Sequence, residues 1–174
     1  GILYSTTTYL MELENALRAR EIPYQVAGGK KLIERGEVLA LRTVVAALDN
    51  PFDEISVVGA LRSPFFACSD EELVQQRLHN VGFNYARDAG QVPHLEQCFA
   101  ILRDLHRRQS RRAPSETIAE LFERTKGLPI YALKPQGDGR VANLLKLLDM
   151  ARALENGPAC SFHSLAQRLA KLEE

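Results

Sequence analysis

Val141, Leu144, Leu145, Leu148, Ala151 and Leu154 recur at i, i+3, i+4 and i+7, the interval that gathers apolar side chains on one face of an α-helix. This period runs almost everywhere from about Leu32 onward, and it requires helix faces to be buried against one another. Val38, Leu41, Val45 and Leu48 make one such face, stopping at Asp49-Asn50-Pro51. Leu95, Cys98, Phe99, Leu102 and Leu105 make another. Asp53 can cap a short helix through Leu61, closed by Ser63-Pro64, and Ser69-x-x-Glu72 is a capping box before a helix carrying Leu73 and Leu78. Residues 80–93 hold Asn, Gly and Pro with little periodicity and read as a loop. Pro114-Ser115 starts a helix with Ile118, Leu121 and Phe122 inward and Gly127 as its stop. A turn-rich break at residues 134–139 precedes the helix of Val141–Leu154, which ends at Gly157-Pro158. Ser161 then caps a last helix with Phe162, Leu165, Leu169 and Leu172 inward.

The first thirty residues are built differently. Ile2-Leu3-Tyr4 reads as a strand, Thr6-Thr7-Thr8 offers caps for a helix with Leu10, Leu13 and Leu17 on one side, Pro23 ends it, and Tyr24–Ala27 reads as a second strand. A strand–helix–strand unit this small needs a sheet from elsewhere, so the chain is expected to be an excised piece of a longer protein. The expected class is mainly α: a multi-helix domain behind a small N-terminal strand–helix–strand stub.

Composition narrows the chemistry. The 174 residues are 45% hydrophobic and 25% charged with zero formal net charge, so nucleic-acid binding must rest on local clusters. Cys68, Cys98 and Cys160 are odd in number and never paired as C-x-x-C, which argues against a disulfide framework or a zinc site and for a reduced, cytoplasmic protein. No apolar run reaches the roughly 18–20 residues of a membrane span. Gly28-Gly29-Lys30-Lys31 resembles a phosphate loop, but it lacks the earlier glycine and the following Ser or Thr, so the glycines are expected to serve as a hinge. His79, His94, His106 and His163 show no metal spacing, and no nucleophile sits in an activating frame. The chain is expected to hold no catalytic, metal or cofactor residues. Within 103–112, Arg103, Arg107, Arg108, Arg111 and Arg112 against Asp104 give a local balance of +4, open both to a solvated helix end and to phosphate contact. Arg140, Lys146 and Arg152 form a looser basic stripe.

The order of segments carries a resemblance. Tyr4, Leu13-Glu14-Asn15-Ala16-Leu17, Ile22-Pro23-Tyr24, Gly28-Gly29, Glu34-Arg35 with Glu37, and Leu61-Arg62-Ser63-Pro64 are similar to the UvrD/Rep/PcrA-type superfamily 1 DNA helicases, from late in the second RecA-like motor subdomain (2A) into the accessory subdomain 2B. Gly127, Gly139, Arg140 and Asn143 resemble the AddA/RecB-type (exonuclease V beta) branch. The resemblance implies residues 1–30 as the end of 2A and 31–174 as the helical 2B body. It implies a parent that unwinds DNA in repair and recombination using ATP and magnesium bound outside this chain, which itself would neither bind nor hydrolyse ATP. Partners implied are DNA at a single-strand/duplex junction, the parent's other domains and a partner protein of a helicase–nuclease complex, with no membrane. DNA-contact candidates are Arg62, Ser63, Arg107, Arg108, Arg111, Arg112 and Arg140, and Gly28 and Gly29 are the hinge. The alternative is a helical protein–protein docking module.

The chain departs from the family in three places. Ser5 stands where the family has Arg, and Leu32-Ile33 where it has an aromatic pair. The glycine-containing turn that presents amides to duplex DNA in UvrD-like members is Ala67-Cys68-Ser69 here, followed by Asp70-Glu71-Glu72. Without glycines and with acids at the helix start, close phosphate approach at this turn is disfavoured.

Overall fold

The computed structural model describes residues 10–20, 22, 32–155, 157 and 161–171. The chain divides into two compact units, Gly1–Lys31 and Leu32–Glu174. In the first, α1 spans Leu10–Ala19, with Leu13 and Leu17 half-buried. The strands expected at 2–4 and 24–27, Pro23, and the Gly28-Gly29 hinge lie outside the described residues.

The second unit is helical throughout its described secondary structure, as the period requires. A 3-10 turn at Leu32–Glu34 leads into α2 (Gly36–Asp49), followed by α3 (Glu54–Arg62), α4 (Asp70–Leu78) and α5 (Pro93–Gln109). Then come α6 (Pro114–Thr125), α7 (Gly127–Ala132), α8 (Gly137–Glu155) and α9 (Phe162–Ala170). The caps fall where the residue types place them: Asp53 accepts from the Ser56 amide, Ser69 and Glu72 close a reciprocal box, and Ser161 accepts from the Ser164 amide.

At the centre lies α2, which packs against α3, α5, α8 and α9. Val44 and Ala47 are buried along with Val38, Leu41, Val45 and Leu48, so the helix is enclosed on more than one side. Its C-terminal carbonyls, which have no partner within the helix, are met from outside. The Tyr85 hydroxyl donates to Ala47 O at 2.7 Å and His106 Nδ1 donates to Leu48 O at 2.6 Å; beside them the Asp49 side-chain carboxylate pairs with His163 Nδ1 at 2.8 Å.

Three expectations are corrected. Leu78 is 75% exposed, because it lies five residues, and so well round the helix, from Leu73; Gln76, three residues on, is buried instead. In α8, Leu147 is buried and Leu145 turns outward, the inward stripe being Leu144, Leu147, Leu148 and Ala151. The stop of α6 is Lys126 in the left-handed region (φ 54°), and Gly127 opens α7. Glycine is needed there for space: a Cβ would stand 2.6 Å from the Phe65 ring, which stacks on Phe122 at 6.0 Å. Leu172 lies outside the described residues.

Candidate nucleic-acid interface

The basic segment occupies the last turns of α5 and the turn that follows it. Helical spacing puts residues 104 and 108 in one row and residues 103 and 107 in the next, and Arg111 and Arg112 lie just past the helix end. The first row faces α6, which brings Glu120 and Arg124. Arg108 pairs with Asp104 and, at 2.7 Å, with Glu120; Arg112 pairs with Glu120; Arg124 reaches Asp104 and, at 3.6 Å, Glu120. Three guanidiniums thus share two carboxylates. Burial pushes the Asp104 carboxyl up, but hydrogen bonds from Arg108 and Arg124 outweigh it and hold it below the ordinary value. The bond to Asp104 in turn raises Arg108. These charges join α5 to α6 and are spent largely on one another, with one positive charge in excess.

Arg103 has another task. Its Nε donates to Tyr85 O at 2.8 Å, Nη2 to Asp88 O at 3.1 Å, and Nη1 lies 3.3 Å from Glu96, so it holds the 80–92 loop. Arg107 is 69% exposed with Asp104 no nearer than 3.8 Å. Arg111 is exposed, and its side chain makes no ion pair among the described residues. Of the arginines in this segment, Arg107 and Arg111 are the ones presented to solvent with their charge least engaged.

The other candidates are placed as follows. Arg62 pairs with Asp70 at 2.8 Å on the surface, and Ser63 is buried with its hydroxyl donating to Ala60 O at 2.6 Å. Arg140 donates from Nη1 to Glu37 at 3.0 Å and from Nε to Pro135 O at 2.9 Å, while Asn143 donates to Glu37 at 2.7 Å. Glu37 is buried, so the two stretches that carry the resemblance, around Glu37 and around Arg140, meet at one carboxylate between α2 and α8. Nothing in the spacing of 103 residues could have paired them. In the looser stripe, Arg152 pairs with Asp149 at 2.9 Å and Lys146 is exposed.

The turn at Ala67–Ser69 keeps the left-handed backbone of a glycine turn, Ala67 having φ 51°. Its amides are already used: Ala67 donates to Ser63 O at 2.7 Å, Cys68 to Leu61 O at 2.9 Å, and Ser69 to Glu72 at 2.8 Å. No amide of this turn is left to present to a phosphate, in keeping with the departure from the family pattern. Because an L-residue in the left-handed region is strained by roughly 1–2 kcal/mol, Ala67→Gly is expected to raise the unfolding free energy by up to about 1 kcal/mol, the flexibility of glycine offsetting the rest. Urea denaturation of the two proteins checks this.

A group that sequence spacing passed over lies beside this turn: ligand atoms of Cys68, His94 and Cys98 fall within 4.8 Å of one another. His94 and Cys98 share a helix face at i, i+4, a signal that the H-x-x-x-H and C-x-x-C patterns do not include. Cys68 arrives only by packing. Cys68 donates to the Cys98 sulfur, which lowers the Cys98 pKa and, with burial, raises that of Cys68.

The fold and charge pattern define a helix-rich body whose basic segment is partly paired within its own fold. No protein-family model matches the chain. It is similar over 90% of its length, at 26% identity, to the ATP-dependent helicase/nuclease protein AddA of Leuconostoc mesenteroides subsp. mesenteroides. Proteins of the same name from Enterococcus faecalis (25% identity over 99% of the chain) and Listeria monocytogenes serovar 1/2a (25% over 88%) are also similar. The resemblance to a UvrD/AddA-type helicase region is thereby borne out. The chain spans 13–15% of the length of these relatives.

Proposed function

We propose that the chain is an accessory region of an ATP-dependent DNA helicase acting in repair and recombination, which contacts DNA and regulates a motor lying elsewhere in the parent protein. The observation that carries this reading is the similarity of 88–100% of the chain to proteins named as helicase/nuclease subunits. Residues 1–30 are then the end of the 2A motor subdomain and residues 31–174 the 2B body, joined at Gly28-Gly29. ATP and magnesium belong to the parent's motor. The relatives are named as one component of a multi-protein helicase/nuclease, which supports a partner protein for the parent. DNA contact falls to Arg107 and Arg111, and the Glu37–Arg140–Asn143 lock keeps the helical body rigid so that it can move as one piece.

A forked DNA carrying a fluorophore is expected to show weak, salt-dependent anisotropy changes with this chain at about 50 mM salt, with no ATP turnover. No binding at that salt would contradict the DNA reading. A protein-docking role is the second reading, favoured by the exposure of Phe52, Ile55, Val74, Leu78 and Leu133. Self-association in light scattering without DNA binding is the outcome that selects it.

A further inference from the structure

We propose that Cys68, His94 and Cys98 bind one zinc ion, which staples the Ala67–Ser69 turn to the first turns of α5. This rests on side-chain geometry and is independent of the helicase reading. The two sulfurs lie 3.6 Å apart. Two thiolates on a tetrahedral zinc at about 2.3 Å each stand about 3.8 Å apart, so the thiols need move by only a few tenths of an ångström. The third ligand atom, from His94, lies within the same 4.8 Å group.

His94 also has the support that zinc-bound imidazoles use. Its Nδ1 lies 2.9 Å from Glu72 Oε1, a carboxylate that fixes ring orientation and tautomer and leaves Nε2 as the ligating nitrogen. Glu72 is itself fixed, because its other oxygen accepts the Ser69 amide in the capping box of α4. The cysteines are buried while His94 is 43% exposed, which gives the ion a path in and lets solvent water complete the coordination. Binding converts two thiols to thiolates: two protons leave, two S–Zn bonds and one N–Zn bond form, and no electron is transferred.

The test uses the chain stripped with chelator under reducing conditions and titrated with Co2+ as a spectroscopic stand-in. One equivalent is expected to give thiolate-to-cobalt charge transfer and intense d–d bands of a tetrahedral site, both abolished by stoichiometric Zn2+. Cys68→Ser and Cys98→Ser are expected to lose the charge-transfer band, while Cys160→Ser keeps it. Glu72→Gln preserves the capping box, so it keeps the helical circular dichroism but weakens zinc affinity by about 10-fold or more. Absence of the charge-transfer band in the folded parent chain, or its persistence in folded Cys98→Ser, would overturn the proposal. So would a Cys68–Cys98 disulfide forming readily in a chain that takes up no Zn2+.

Discussion

Arg140→Ala is expected to lower the unfolding free energy by about 3 kcal/mol, the low end of the cost of breaking a buried ion pair. Glu37 lies on the inner helix α2 and is buried, and it spends its oxygens on Arg140 and Asn143. Truncating Arg140 leaves that buried carboxylate with Asn143 as its side-chain donor. The low end of the range applies because the Arg140 side chain is 31% exposed. Replacing both partners together, Glu37→Leu with Arg140→Met, is expected to recover most of the loss, because the isolated charge and not the missing attraction causes the damage. Urea midpoints of the wild type, the single variant and the double variant measure this. A double variant no more stable than the single one would show that the pair contributes through something other than its burial.

Gln76→Ala is expected to cost a similar amount, about 3 kcal/mol, through the loss of an uncharged side chain. The Gln76 amide nitrogen donates to Gly82 O at 2.9 Å and to Ala89 O at 3.0 Å, and its oxygen accepts from the Gln91 amide at 2.8 Å. This one buried side chain therefore satisfies three backbone groups of the 80–92 loop, and removing it orphans each at roughly 1 kcal/mol. Arg103 and Glu96 hold the same loop from α5, with Glu96 accepting the Gly90 amide at 2.6 Å. Loss should appear in hydrogen exchange as faster exchange of the Gln91 amide while the α2 amides stay protected.

What could be read from the sequence divides along a physical line. Helices and their ends follow from local rules, and Asp53, Ser69 with Glu72, Pro114 and Ser161 mark helix starts in the structure as in the sequence. The inward faces of α2, α5 and α6 follow from the 3.6-residue period. Where the period is ambiguous, packing decides: Leu145 and Leu147 are both apolar, and only the position of α8 against its neighbours selects Leu147. Partners of polar groups were the least legible, because a hydrogen bond leaves no mark on spacing. The arginines of 103–112 form one charged string in the sequence, yet the structure sorts them into a loop clamp, an α5–α6 brace and two outward cations. The counter-charge Glu120, and Arg124 which competes for it, lie on the next helix. Cys68, His94 and Cys98 escaped for the same reason.

In the proposed function, DNA contact falls to Arg107 and Arg111, while the other arginines of 103–112 are engaged within the fold. Salt dependence of fork binding for the wild type and for Arg107→Ala/Arg111→Ala tests it most directly. The double variant is expected to bind more weakly, with the slope of log K against log salt smaller in magnitude by about 2 and thermal stability unchanged. An unchanged affinity and slope in the folded double variant would contradict it.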